Sequence, residues 1–242
     1  MERFRVVAVD QRGHGQSDKP NDGYTFAHLT GDLGALIRKL DLDRPLVAGH
    51  SWGGNVAIQF AADPSEETRG VVLIDGGFLE ISAFDGMTWE RTQKVMAPPK
   101  LDGVKLKPFL TAMRSWPDIG NMWSEQIQDI ILGNFTITGE KTIQPHLTRE
   151  NHMKILRALW EQKPSELWKS VRCPILMLPS VKETSDANSE AWLDGKRKAI
   201  KLALEAVPEA TVVWMEDTIH DSPLQRPVQV ASAIIDFGGG LA

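Results

Sequence analysis

The 242-residue sequence contains a single cysteine, Cys173, and therefore cannot form an intrachain disulfide. That cysteine usage is typical of a reducing compartment, and we expect a cytoplasmic location. No apolar run approaches the roughly 20 residues that a membrane-spanning helix needs. The formal net charge is −5, so electrostatics give no reason to expect binding to nucleic acid or to an anionic membrane. We therefore expect a small-molecule partner, and the oligomeric state is left open.

Metal and nucleotide signatures are also lacking in the sequence. No pair of the six histidines stands at metal-ligand spacing with the cysteine or with carboxylates. No glycine-rich phosphate loop follows a predicted strand. We accordingly expect no cofactor.

What the sequence does contain is an alternation of short β-rich runs with helical patterns. Strands separated by helices pair in parallel and are covered on both faces, so the pattern predicts an α/β fold with a mainly parallel sheet and helices on both faces. The predicted strands are 4–10, 44–50, 70–77, 173–179 and 210–217, and the predicted helices are 26–40, a run from about 53, 192–207 and 226–237.

The segment 78–169 interrupts this alternation. It reads as mostly helical, with no convincing strand and with many bulky apolar residues. No linker-like composition flanks it, which favours an insertion over an independent second domain. We therefore predict a core formed by 1–77 and 170–242, with 78–169 as a helical cap or lid.

Residues 49–54 read GHSWGG and join a predicted strand to a predicted helix. The small residues Gly49 and Gly53 would let the strand and the helix approach closely, which places Ser51 on a sharp turn. The first N–H groups of the helix, including that of Trp52, would face the position where an oxyanion develops. This stretch predicts a nucleophile on a strand-to-helix turn; the alternative is a plain turn with a serine N-cap.

Three segments in order, each after a predicted strand, resemble those of the α/β-hydrolase superfamily: DQRGHGQS (10–17), GHSWGG (49–54) and EDTIHDSPLQRP (216–227). The resemblance covers the whole chain and implies Ser51 as nucleophile and His220 as its general base. Serine at this position argues against epoxide hydrolase and haloalkane dehalogenase chemistry, for which the resembling elbow carries aspartate.

The acid of the expected triad is open at this point. The resemblance implies a carboxylate after the strand 173–179, where Glu183 is nearest and Asp186 lies three residues further on. A minority of relatives place the acid one strand earlier, which here is Asp75 at the end of 70–77. Asp75 could instead be a structural turn former. The true partner must reach Nδ1 of His220 and be partly buried.

The resemblance also implies that the chain begins at the fourth strand of the family, 4–10. The third strand, and the His-Gly loop that supplies a second oxyanion donor, would then lie upstream, with Met1 as an internal start; the alternative is a true deletion with altered strand pairing. Without that strand, the backbones of 4–10 and 44–50 would be left unpaired or would close up. We expect a chain of this length to be poorly stable or weakly active, since one lost oxyanion donor costs about 100- to 1,000-fold in rate.

The expected activity is hydrolysis of a hydrophobic carboxylic ester or lactone through an acyl-enzyme, with Trp52 and Phe78 contacting the substrate. Carbon–carbon bond hydrolysis, aminopeptidase activity and perhydrolysis use the same residues and stay open. A different hypothesis is a non-catalytic, hydrolase-like protein that binds a small ligand.

Overall fold

The computed structural model describes residues 4–63, 68–182 and 186–241. The strands are Leu46–His50 (β1), Gly70–Ile74 (β2), Val104–Lys105 (β3), Phe135–Ile137 (β4), Thr142–Pro145 (β5), Ile175–Leu178 (β6), Ser180–Val181 (β7), Thr211–Val212 (β8) and Met215–Glu216 (β9). The helices are Phe26–Lys39 (α1), Trp52–Ala61 (α2), Trp89–Met96 (α3), Leu106–Ser115 (α4), Pro117–Gly120 (α5), Glu125–Leu132 (α6), Arg149–Glu161 (α7), Pro164–Leu167 (α8), Ala187–Ala206 (α9), Ser222–Gln225 (α10) and Pro227–Gly239 (α11), with a 3₁₀ turn at Ile81–Ala83.

Four strands form a parallel sheet in the order β1-β2-β6-β8. Val47 lies beside Val71, and Val71 lies beside Ile175, so the first three strands are in close register. Two further short strands, β7 and β9, also pair in parallel. Because the four strands of the larger sheet run the same way, their carboxyl ends meet at one edge of that sheet, where α/β folds hold their sites.

The two faces of the sheet are covered by different helices. Successive side chains of a strand point to opposite faces. On one face, Val71 and Leu73 lie in a core cluster with Phe60 of α2 and Ile200 of α9. On the other face, residues such as Val72 cluster with side chains of α11. The predicted α/β fold, mainly parallel with helices on both faces, is confirmed.

The chain divides into two compact units. The first comprises the described parts of Met1–Arg5, Phe26–Trp89 and Ala158–Ala242, and it contains the parallel sheet. The second comprises Val6–Thr25 and Glu90–Arg157. The predicted division into a core and a 78–169 cap has different boundaries and stays a prediction.

The second unit has an antiparallel sheet in the order β3-β5-β4, with the fully buried Ile143 on its middle strand. Phe109 and Phe135 pack edge to face beside it. The expectation that 78–169 contains no strand was therefore wrong. These strands have two to four residues, which is too short for an alternation of polar and apolar residues to be recognised.

The predicted strand 4–10 was also wrong. The backbone there forms no strand, and Val6 is 83% exposed. β1 is an edge strand that pairs with β2 alone within the described residues. An apolar run becomes a strand only where a neighbouring strand binds its N–H and C=O groups, and none does so here. Separately, none of the helices in the described ranges is both long and apolar enough to cross a bilayer.

Candidate active site

Ser51 lies on the turn between β1 and α2 in a conformation that L residues rarely adopt. Its φ is 52° and its ψ is −121°, and its N–H donates to the carbonyl of Ile74 over 2.9 Å. A Cβ atom added to Gly49 would lie 2.1 Å from backbone atoms of Gly53, and one added to Gly76 would lie 2.1 Å from the Ser51 carbonyl oxygen. Glycine at these positions allows the chain segments to touch and holds the strained serine in place.

Ser51, His220 and Asp75 form a continuous chain of hydrogen bonds. The Ser51 hydroxyl lies 2.8 Å from Nε2 of His220, and Nδ1 of His220 lies 2.7 Å from Oδ2 of Asp75. Ser51 follows β1, Asp75 follows the neighbouring strand β2, and His220 is in the loop after β9. Their arrangement has the geometry of a nucleophile, a general base and an acid that orients the base.

The Asp75 carboxylate is buried and has three further constraints. Its backbone has a φ of 42°, and its side chain is 3% exposed. Oδ1 accepts the N–H of Ser180 at 2.9 Å and the ammonium of Lys196 at 2.7 Å. Burial by itself raises the pKa of Asp75, but the hydrogen bond from His220, the charge and hydrogen bond of Lys196 and the Ser180 N–H outweigh it, so the pKa lies below its ordinary value. Asp75 is therefore held as a carboxylate.

His50 supports the loop that carries His220. Its Nε2–H donates to the carbonyl oxygen of His220 over 2.8 Å, and the two rings lie 4.8 Å apart between centroids. Burial lowers the pKa of His50, with the charge of His220 acting in the same direction. Gln225, the last residue of α10, accepts the N–H of Ile219 and donates to the carbonyl of Asp217. Hydrogen bonds thus hold the backbone at the His220 carbonyl and at the residues just before it.

Asp186, the second candidate acid, lies at the start of α9. The Asp186 side chain caps α9 by accepting the N–H of Ser189 at 2.9 Å. Glu183 lies outside the described residues. Of the three carboxylates left open by the sequence, Asp75 is the one whose described contacts include His220.

Trp52 and Phe78 were expected to contact substrate. Trp52 begins α2, and its ring lies 4.8 Å from that of Phe26. Its indole nitrogen is buried and has no hydrogen-bond partner in the described part of the chain. Phe78 is 2% exposed and lies in the core cluster beneath the sheet. The structure gives Phe78 a packing role, and its contact with substrate stays a prediction.

The start of α2 supplies backbone donors near Ser51. The first N–H groups of a helix have no partner within it, and Trp52 is the first residue of α2. Asn55 anchors this end of the helix: its Oδ1 accepts the N–H of Gly77 at 3.2 Å, and its Nδ2 donates to Gln162 at 2.7 Å. Both side chains are buried. This amide network was not recognised from the sequence, because Gln162 is 107 positions from Asn55.

Lys196 was also missed. It lies within the predicted helix 192–207 without being singled out there, yet it is buried against Asp75. One signal was present in the sequence: Lys196 stands in the same helical stripe as Leu193, Ile200 and Ala203, all of which are buried. A lysine in an apolar stripe needs an anionic partner. As for metals, the described residues contain no cluster of three or more histidine, cysteine or carboxylate side chains that could hold an ion.

The sequence model of the alpha/beta hydrolase family matches residues 1–233, and the chain belongs to that family. The resemblance noted in the sequence is thereby confirmed. The chain is thus an alpha/beta hydrolase-family protein with a serine on the turn between β1 and α2.

Three similar proteins illustrate the range of the family. 2-(Acetamidomethylene)succinate hydrolase of Mesorhizobium japonicum is 40% identical over 87 residues, which are 36% of this chain and 31% of that protein. Soluble epoxide hydrolase of Corynebacterium sp. is 38% identical over 74 residues, 31% of this chain and 26% of that protein. The crystal structure of E-2-(acetamidomethylene)succinate hydrolase superposes with a TM-score of 0.71 at 22% identity, covering 94% of this chain and 78% of the other. The chain thus spans about a third or less of the length of these two sequence relatives, and the superposition speaks for the fold alone.

Proposed function

We propose that the chain is a serine hydrolase that cleaves a carboxylic ester or lactone through an acyl-enzyme intermediate. The observation that carries this proposal is the hydrogen-bond chain from Ser51 through His220 to Asp75. A serine hydroxyl is a weak nucleophile unless a base removes its proton. Here the base stands 2.8 Å away and its second nitrogen faces a buried carboxylate.

In the first half-reaction, the Ser51 hydroxyl passes its proton to Nε2 of His220 while Oγ bonds to the substrate carbonyl carbon. The carbonyl oxygen becomes an oxyanion, which the Trp52 N–H at the start of α2 stabilises. The carbon–oxygen bond to the leaving group then breaks, and the leaving alkoxide takes the proton back from Nε2. Asp75 stabilises the imidazolium throughout and remains ionised.

In the second half-reaction, a water molecule gives a proton to Nε2 and attacks the acyl carbon. The bond from that carbon to Ser51 Oγ breaks, Oγ recovers the proton, and the carboxylic acid leaves. In each half-reaction His220 first accepts a proton and then donates it, so a single histidine serves as both general base and general acid.

A serine at position 51 argues against the activity named for one relative, the epoxide hydrolase. If Ser51 attacked an alkyl carbon, the product would be an alkyl ether, with no carbonyl for water to attack. The reaction would stop after one turnover. Acyl transfer is the chemistry that a serine at this position completes.

A second candidate is hydrolysis of 2-(acetamidomethylene)succinate, the compound in the name of one relative. It is favoured by the 40% identity over 87 residues. An acetamido group presents an amide carbonyl carbon that Ser51 Oγ would attack; the carbon–nitrogen bond would then break, and the leaving nitrogen would take the proton from Nε2 of His220. Turnover of this compound above that of simple esters would favour the second candidate over the first.

A fluorophosphonate probe tests the proposal directly. It should modify Ser51 stoichiometrically, located by peptide mass spectrometry, and labelling should disappear in Ser51→Ala and His220→Ala. His28→Ala removes an exposed histidine on α1 and is the matched control, which should label as the wild type does. A folded wild-type chain that stays unlabelled would support the ligand-binding hypothesis instead. A panel of p-nitrophenyl esters of increasing acyl length then defines the acyl group.

A further inference from the structure

Lys196 is a buried cation in the middle of α9. Its side chain is 7% exposed, and its ammonium lies 2.7 Å from Asp75 Oδ1 and 2.7 Å from the carbonyl oxygen of Ser180. Withdrawing an ammonium from water costs several kcal/mol unless charge and hydrogen bonds compensate it. The helix therefore keeps a costly group where a leucine would complete the apolar stripe, and it does so beside the carboxylate that contacts His220.

The two oxygens of Asp75 have separate partners. Oδ1 accepts from Lys196 and from the Ser180 N–H, and Oδ2 faces Nδ1 of His220. Two donors on Oδ1 fix the rotation of the carboxylate plane. Oδ2 is thereby directed at a single imidazole nitrogen, which fixes the ring and its tautomer.

The position of α9 is set by an aromatic contact next to Lys196. The rings of Phe84 and Trp192 stack with centroids 4.8 Å apart. A Cβ atom on Gly195 would lie 2.2 Å from the Phe84 ring, so only glycine lets that ring approach the helix here. The helix is thus seated tightly one residue before the lysine, which limits how far its ammonium can move from Asp75.

We propose that Lys196 is a positioning residue for the reaction, acting through Asp75 by orienting the carboxylate and neutralising its charge. The inference rests on the serine-hydrolase function proposed above. Among the described residues, the carboxylate interacts with Lys196 on α9, with His220 in the loop after β9 and with His50 at the end of β1, and Asp221 acts in turn on His50. Removing one positive charge from this set makes protonation of the remaining groups easier.

The kinetic test compares Lys196→Met with Lys201→Met, which removes an exposed lysine from the same helix. With a p-nitrophenyl ester, Lys196→Met should lower kcat about 10- to 100-fold with little change in KM, because a loosened Asp75 misplaces the base. The acid limb of its kcat/KM profile should move to higher pH by about one unit. Lys201→Met should match the wild type in all three quantities. A Lys196→Met enzyme with the wild-type kcat and pH profile would overturn the proposal.

A double-mutant cycle separates positioning from packing. If Lys196 acts through the charge of Asp75, Lys196→Met should leave kcat unchanged in an Asp75→Asn background. If the lysine only fills space, it should cost the same factor in both backgrounds, and the proposal fails. Lys196→Gln, which keeps a hydrogen-bond donor but no charge, serves where the methionine variant does not fold, and it should show the same shift of the acid limb.

A measurement without substrate makes failure of this inference distinguishable from failure of the proposed function. In a carbon-13 NMR titration of the aspartate carboxyl groups, Lys196→Met should raise the pKa of Asp75, while Lys201→Met leaves it in place. An unchanged Asp75 titration in Lys196→Met would overturn the inference even for an active enzyme. An unlabelled Ser51 would overturn the proposed function and leave the titration to decide the link between Lys196 and Asp75.

Discussion

The hydroxyl of Ser51 lies 2.8 Å from Nε2 of His220, although the two residues are 169 positions apart in the chain. Ser51 is fixed by the end of β1 and His220 by the loop after β9. The contact therefore forms only when both ends of the sheet-forming sequence have folded. Reactivity of Ser51 is accordingly a sensitive measure of whether the sheet is complete.

Asp75→Asn should reduce kcat for an ester by about 10³- to 10⁴-fold, since the amide cannot stabilise the imidazolium and favours the wrong tautomer. Steady-state kinetics on a p-nitrophenyl ester measures this. Asp186→Asn is the control, because asparagine also caps a helix well, and it should keep the wild-type kcat. Glu183→Gln should do the same. A large loss of kcat in either control, with Asp75→Asn active, would assign the acid elsewhere.

Gly76→Ala should disrupt the elbow. Its Cβ would stand 2.1 Å from the Ser51 carbonyl oxygen, a backbone atom that cannot rotate away. We expect a loss of about 1–3 kcal/mol in the free energy of unfolding and of most fluorophosphonate labelling. The matched control is Gly53→Ala on α2, where an added Cβ meets nothing within 4 Å.

That control should retain labelling and gain up to about 1 kcal/mol, because alanine favours the helix more than glycine does. Urea unfolding and probe labelling measure both effects. Equal behaviour of the two variants would contradict the close contact at Gly76.

Gln162→Leu should lower the free energy of unfolding by about 1–3 kcal/mol, since it leaves the buried amide of Asn55 without its partner. Chemical denaturation gives this value. The double variant Asn55→Ala/Gln162→Leu should lose less unfolding free energy than the sum of the losses in the two single variants, because both substitutions remove the same interaction. Simple additivity would show that the contact contributes nothing.

Stability should fall as the pH falls below about 6.5. Burial lowers the pKa of His50 and of His152 below the ordinary value of 6.5, with His14 adding to the effect at His152. Each neutral ring therefore stabilises the fold fully above pH 6.5, and this contribution is lost as the pH drops towards the lowered value, by up to about 1.4 kcal/mol per pH unit for each proton.

Urea unfolding between pH 7.5 and 5 measures this dependence. His152→Asn removes one of the two groups, and the fall in stability with pH should be shallower in that variant. A flat profile in the wild type would contradict the inferred burial of these rings.

The elbow and its flanking elements were predictable because they depend on neighbours in sequence. A strand, a GHSWGG turn and a helix follow each other directly, and the observed β1 and α2 begin within two residues of the predicted positions. The segment 4–10 has an equally apolar pattern and forms no strand. The difference lies in pairing, which is a property of the partner and cannot be inferred from the segment itself.

Contacts at long range were the less predictable part of the site. His220 could be assigned because a resembling motif surrounds it, whereas Asp75 was one of three carboxylates until the sheet placed it beside that histidine. Lys196 stands in an apolar helical stripe, which indicates a buried lysine, but its partner Asp75 lies 121 positions away and cannot be inferred from that stripe. The packing of α9 brings the ammonium of Lys196 to that carboxylate.

The close backbone contacts around position 51 restrict the neighbouring glycines more than they restrict the side chain at position 51 itself. Side chains are barred from Gly49 and Gly76 by backbone atoms 2.1 Å away, whereas the left-handed backbone at position 51 imposes a similar strain on any residue with a Cβ. The glycines around the turn therefore cannot be replaced without moving the backbone, whereas the side chain at position 51 can be exchanged. Introducing a thiol or a carboxylate there would redirect the reactivity of the protein while requiring no rearrangement of the chain around it.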